Sequence, residues 1–197
     1  MAQTRDNRTI SEFKSRLLGG GARPNLFEVE LTTLPASVTF PWQAERFGFL
    51  CKAAQMPAQT IASIEVPFRG RQFKVAGDRT IENWSITVIN DEDFLFRNAF
   101  EEWTQQIAAL DDNMGSTNPA SYMVNAKVYQ LGRGATQAST TNAGDANVVL
   151  KEYEFIDIFP ISVGSIDLSY DSSDTIEEYT VEFAVQSYRV KGAGTAG

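Results

Sequence analysis

The side chains able to do chemistry in this sequence are mostly carboxylates. They cluster at Asp91-Glu92-Asp93, Glu101-Glu102, Asp111-Asp112 and Glu177-Glu178. A glycoside-cleaving pair needs two carboxyl groups roughly 5–9 Å apart across a substrate, one of them kept protonated by its surroundings. Neighbours in sequence do not make such a pair, and helix caps or solvated faces explain these clusters better. There is no histidine, which removes the usual proton carrier near neutral pH and the commonest metal ligand. The one cysteine, Cys51, can form neither an internal disulfide nor a zinc cluster and reads as a small buried apolar residue. Asp167, Asp171 and Asp174 lack the glycine and closing glutamate of a calcium loop, so a turn is expected there. Gly192, Gly194 and Gly197 carry the spacing G-x-G-x-x-G, with no helix N-terminus after them to hold a pyrophosphate. Gly19-Gly20-Gly21 has no following Lys-Ser/Thr and reads as a linker. The expectation is a non-enzymatic chain with no catalytic residue, no metal and no cofactor.

Charge sharpens that expectation. The net charge is -8, and it is unevenly placed: residues 1–99 hold 12 Lys/Arg and 11 Asp/Glu, whereas residues 100–197 hold 5 and 14. Such a chain is a poor candidate for binding nucleic acid by neutralising phosphates. One basic island, Arg69, Arg71, Lys74 and Arg79, is interleaved with Phe68 and Phe73. A nucleic-acid surface is one reading of it. The overall acidity favours the other, an assembly surface meeting acidic residues of a neighbouring copy. The N-terminal residues are polar, and no stretch has the apolar length of a membrane span, so a soluble intracellular product without an integral membrane segment is expected.

The elements that must position these residues are mostly strands. Thr9 to Glu12 makes a capping box before Ile10, Phe13 and Leu17, which predicts a short helix near 10–18. Phe27, Val29 and Leu31 alternate with Glu28 and Glu30 as in a half-buried strand. Phe47 to Ala53 reads as a buried strand within an aromatic, proline-containing stretch. Ile64, Val66 and Phe68, then Phe73 and Val75, flank Arg69-Gly70-Arg71 and predict a hairpin. Trp84, Ile86 and Val88 give another strand. Phe96, Phe100, Trp103, Ile107 and Leu110 form one apolar stripe, predicting a long helix over about 91–110 capped by the acidic cluster. Strands follow at 122–128, 148–159, 166–168 and 179–186. A Gly/Ala/Ser/Thr/Asn-rich mobile loop is expected at about 132–147. The strands do not alternate with helices, so the fold class is mainly β: two packed antiparallel sheets, a sandwich or half-barrel, with one flanking helix.

Several stretches together resemble the tail tube protein family of contractile-tailed, myovirus-type bacteriophages. The carriers are Ala22-Arg23-Pro24-Asn25-Leu26-Phe27-Glu28-Val29-Glu30, Cys51-Lys52-Ala53-Ala54-Gln55-Met56-Pro57-Ala58 and Phe159-Pro160-Ile161-Ser162-Val163-Gly164. The most specific block runs from Val75-Ala76-Gly77-Asp78-Arg79-Thr80-Ile81-Glu82-Asn83-Trp84 through Thr87-Val88-Ile89-Asn90-Asp91-Glu92. The residues themselves predict an N-terminal arm with a short helix at 1–21 and a flexible tail at 192–197, and the resemblance implies one tail-tube β domain at 22–191; the loop at 132–147 and the glycine-rich tail depart from the family, and nothing is carried over onto them. It implies six copies closing into a ring whose strands form one continuous barrel around a lumen. The rings would stack into a tube within a contractile sheath, and the protein would be a virion component assembled in the host bacterial cytoplasm. The implied partners are further copies, the sheath protein, the baseplate, a tail terminator and the tape-measure protein, with DNA passing through unbound.

Under that resemblance Arg69, Arg71, Asp78 and Arg79 are the candidates for contacts between subunits, with the N-terminal arm and residues 40–58 as docking elements. Glu152, Glu154 and Glu182 stand opposite the apolar faces of their strands. They are candidates for lining the lumen, where negative charge would let a polyanion slide; the competing assignment puts them on the outer surface. A tube subunit of a phage-derived injection or secretion device is an alternative of the same kind. A monomeric β-sandwich binding module is another, and would need Trp42 or Tyr188 to line an open groove.

Overall fold

The computed structural model describes residues 9–17, 21–133 and 147–192. Most of the loop expected at 132–147, the first eight residues and the tail beyond Gly192 lie outside the described residues. The chain order is α1 (Ile10–Arg16), β1 (Phe27–Glu30), α2 (Ala44–Leu50), β2 (Cys51–Gln55), β3 (Gln59–Phe68), β4 (Arg71–Ile81), β5 (Trp84–Ile89), α3 (Leu95–Ile107), a single 3-10 turn (Pro119–Ser121), β6 (Val124–Arg133), β7 (Asn147–Val163) and β8 (Glu178–Gly192). Six strands make one antiparallel sheet in the order β1-β6-β7-β8-β5-β2, and β3 pairs with β4 as a second sheet. The two edge strands of the large sheet, β1 and β2, approach each other with α2 against both, so the sheet curls into a nearly closed barrel. Curling removes most of the open edge that a flat six-stranded sheet would carry.

Period-two patterning decides which face turns inward. Along β5, Trp84, Ile86 and Val88 are buried while Ser85, Thr87 and Ile89 are half-buried; along β8, Tyr179, Val181 and Phe183 are buried between exposed Thr180 and Glu182. Val29, Ala126, Val128, Phe155 and Ile158 complete the inner face. Trp84 lies between Phe155 and Phe183, with ring centroids 4.7 and 5.2 Å away. The stripe of α3 closes the core: Phe96, Phe100 and Trp103 are buried, and the Trp103 indole N–H donates to the Tyr122 carbonyl at 2.8 Å. Full burial of side chains this large contributes about 1.5–3 kcal/mol each.

Three local readings differ from the structure. The acidic cluster does not begin α3. Instead Asp91 to Phe94 form a turn, with Phe94 left-handed at φ 51 and its N–H donating to Asp91 O. Asp93 then accepts from the Leu95 N–H at 3.0 Å, and Arg46 of α2 pairs with both Asp91 and Asp93. The carboxylates are drawn into a clamp between two helices, and the helix starts a turn late. Residues 44–50 are helical rather than extended, because one buried residue, Phe47, anchors them while Phe49 faces solvent. Leu168 is exposed in an irregular segment and Leu110 lies beyond the end of α3, so neither joins the core.

Candidate assembly surfaces

The most unusual feature of the molecule is the β3–β4 hairpin. Every residue of β3 is exposed, and β4 is exposed except at Gly77 and Ile81. Its turn is Arg69-Gly70, both at positive φ (45 and 81), which matches the mirror-image turn that two-residue hairpins prefer. Cross-strand partners share a face, and the register pairs Ile64 with Val75, Val66 with Phe73 and Phe68 with Arg71. The opposite face carries Ser63 with Ala76, Glu65 with Lys74 and Pro67 with Gln72; Lys74 and Glu65 form an ion pair at 3.4 Å. The hairpin is therefore amphipathic, yet Phe68 and Phe73 of its apolar face are each 66% exposed. A two-stranded ribbon is marginal in water by itself, and an uncovered apolar face with two free edges is what a protein avoids unless something covers it.

All four candidate contact residues lie on this arm. Arg69 sits in the turn with its guanidinium over the Phe68 ring at 5.5 Å, and Arg71 opens β4. Asp78 and Arg79 lie near its base, at a register shift where β4 carries an extra residue between the Ala76–Ser63 and Arg79–Ile61 pairs. Gly77 permits that shift: a Cβ there would stand 3.1 Å from an Ile64 side-chain carbon and 3.2 Å from the Ala62 carbonyl oxygen. Seven or more residues of extended strand separate the two groups, about 23 Å. They are the two ends of one arm rather than one patch. Sequence reasoning singled out its charges and missed its naked apolar face, because alternation shows that a strand has an apolar side but not whether that side is covered.

The three acidic candidates lie on the face of the large sheet opposite the core, two of them within an ion-pair ladder. Register aligns Glu30, Lys127, Glu154 and Arg189 across four strands, and beside them Tyr129, Glu152 and Lys191. Lys191 Nζ is 3.0 Å from Glu154 and 3.6 Å from Glu152, which is also 3.9 Å from Lys127 Nζ. The bond from Lys191 holds the Glu154 carboxyl below its ordinary range, and the same bond raises Lys191. Tyr129 donates to Glu30 at 2.6 Å and lowers that carboxyl; burial, with Glu30 next, pushes the Tyr129 hydroxyl up. Glu182 stands apart on the same face. It is exposed, cross-strand from Ser85 and Ser162, with no ion pair among the described residues. The lysines that neutralise Glu152 and Glu154 escaped sequence reasoning because each comes from a different strand.

The aromatics that a binding groove would need are occupied elsewhere. Trp42 donates to the Leu31 carbonyl at 2.6 Å and packs on Phe47, Phe96 and Phe100. Tyr188 packs against Phe155 and Tyr153. A second uncovered apolar face belongs to α1, where Ile10 and Phe13 are 76% and 65% exposed.

The sequence model of a family described as phage tail tube protein matches residues 22–191. The chain belongs to the phage tail tube protein family. The tail tube protein gp19 of Enterobacteria phage T4 is 35% identical over 167 residues, covering 85% of this chain and 90% of the relative. The tail tube protein of Serratia phage KSP90 is 25% identical over 177 residues, 88% of this chain and 92% of that one. Among solved structures, a chain of the anti-feeding prophage baseplate shares the fold with a TM-score of 0.61 at 12% identity, covering 89% of this tail tube protein and 98% of that chain. A chain of the sheath–tube complex of an extracellular contractile injection system follows at 0.54 and 14% identity, with 91% and 97% covered. This tail tube protein is accordingly a structural subunit of a phage tail and a virion component.

Proposed function

We propose that six copies of this tail tube protein close into a ring, and that rings stack into a hollow tube that conducts DNA inside a contractile sheath. The observation that carries this reading is the β3–β4 hairpin, a two-stranded ribbon whose apolar face is exposed and whose outer edges pair with no other strand among the described residues. Contacts with neighbouring copies would bury that face and complete those edges, in a closed ring with head-to-tail stacking. Arg69, Arg71, Asp78 and Arg79, all on this arm, would then lie at subunit contacts, with residues 1–21 and 40–58 as further docking elements. The related assemblies bear names that include a baseplate, a sheath–tube complex and a tube-terminating cap. Counterparts of these, with a tape-measure protein during assembly in the bacterial cytoplasm, are the partners this reading assigns.

Electron microscopy of the purified protein, with sedimentation in parallel, tests the proposal. Hollow tubes or six-membered rings are expected. A strict monomer at high concentration, with the hairpin rigid and solvent-exposed, contradicts it. A second reading, a tube for protein cargo in an injection device, draws on the shared fold with an extracellular contractile injection system. An adjacent set of genome-packaging genes favours DNA as the cargo.

A further inference from the structure

Two apolar faces of this molecule are left open, and each answers the other's need. On the hairpin, Ile64, Val66, Phe68, Phe73 and Val75 form one exposed sheet surface. On α1, Ile10, Phe13 and Leu17 form one exposed helix stripe, the polar residues Glu12, Ser15 and Arg16 lying on the other side. Neither element is self-sufficient. A seven-residue helix is far below the length that is stable alone in water, whatever its Thr9 cap contributes, and a two-stranded ribbon is marginal. Their dimensions match: the stripe from Ile10 to Leu17 spans about 10 Å along a helix axis, and the rows from Ile64 to Phe68 span about 13 Å along a strand. Among the described residues of one copy both faces stay exposed, and neither covers the other. We infer that α1 of one copy docks its Ile10–Phe13–Leu17 stripe on the apolar face of the β3–β4 hairpin of another copy. The inference rests on the tube reading and adds to it a named lock between copies: a helix on a ribbon.

The test uses the full chain, starting from conditions in which the parent protein forms tubes. Phe13→Asp is expected to raise the protein concentration needed for tubes by on the order of tenfold or more, since one large apolar contact per subunit is lost. Ser15→Gln, on the opposite side of α1, is expected to leave that concentration unchanged. Contact is read directly by mixing chains carrying Phe13→Cys with chains carrying Val66→Cys under mild oxidation. A disulfide-linked pair of the two different chains in assembled tubes is the expected result. Mixed Phe13→Cys and Val66→Cys tubes that show no such link, or Phe13→Asp tubes formed at the parent concentration, overturn this inference and leave the tube reading standing. A parent protein that never assembles overturns both.

Discussion

At the scale of single residues, burial and hydrogen bonding set behaviour that a list of residue types does not. Burial pushes the Cys51 thiol up to about 12, so almost no thiolate exists at pH 8. Alkylation of Cys51 at pH 8 should therefore run roughly a thousandfold slower in the native protein than in denaturant; equal rates would place the thiol at the surface. Glu102 illustrates the opposite case. Burial acts to raise its carboxyl, but the Thr39 hydroxyl at 2.7 Å and the backbone N–H groups of Phe40 and Thr39 at 3.1 and 2.9 Å outweigh it and bring the carboxyl down. The folded carboxyl thus binds its proton less readily than the unfolded one. Its stabilisation is complete above about pH 5 and is lost as pH falls through the lowered folded value. Glu102→Gln should lower Tm by about 2–4 °C at pH 7, with the gap to the parent closing below about pH 4. A gap independent of pH would assign the loss to packing instead. The fate of Cys51 was legible from its solitude in the sequence. The partners of Glu102 were not, because a carboxylate on a helix surface gives no sign of which distant loop will fold over it.

Elements were legible where their own pattern determines them and illegible where a distant partner does. The alternation at Trp84–Val88 and Tyr179–Phe183 specifies strands with one buried face, and the structure has them. The stripe through Phe96, Phe100 and Trp103 specifies α3, but its start was misplaced because Arg46 draws Asp91 and Asp93 into a clamp, so that they do not act as a first helical turn. The hairpin was legible as a hairpin around Arg69-Gly70-Arg71, of which Arg71 already belongs to β4, while the exposure of its apolar face among the described residues was not. That exposure has a measurable consequence. Core aromatics and hairpin aromatics should respond to substitution in opposite ways. Phe100→Ala, at a fully buried site, should destabilise the fold by about 3–5 kcal/mol. Phe73→Ser should leave the unfolding midpoint of the unassembled chain within error and sharply reduce tube yield, as read by pelleting at high speed. A Phe73→Ser protein that unfolds like Phe100→Ala would show that the hairpin already packs within its own copy.

For the molecule as a whole, the question is what a wall needs in order to pass a polyanion without holding it. Acidity alone was the sequence-level answer, and the ladder across β1, β6, β7 and β8 gives a more specific one. Its lysines are each engaged by carboxylates, so Lys127 and Lys191 are poorly placed to grip phosphate, while Glu152 and Glu154 spend their charge on those lysines. If this face lines the proposed lumen, repulsion falls to carboxylates such as Glu182 that have no cationic neighbour. Reversing that one charge should then matter more than removing either paired glutamate, because the proposed sixfold ring would turn it into a ring of cations at every level of the tube. Glu182→Lys should leave the fold and the tubes intact, since the residue is exposed and makes no ion pair among the described residues. Tubes of this variant should retain DNA at about 50 mM salt and release it by about 200 mM, the signature of phosphate contacts that displace counterions. Glu154→Gln tubes should retain much less, because Lys191 keeps Glu152 at 3.6 Å. Co-sedimentation of DNA with tubes across a salt series distinguishes the two surfaces. Indifference of Glu182→Lys tubes to DNA at every salt concentration would move this face of the sheet to the outside of the tube.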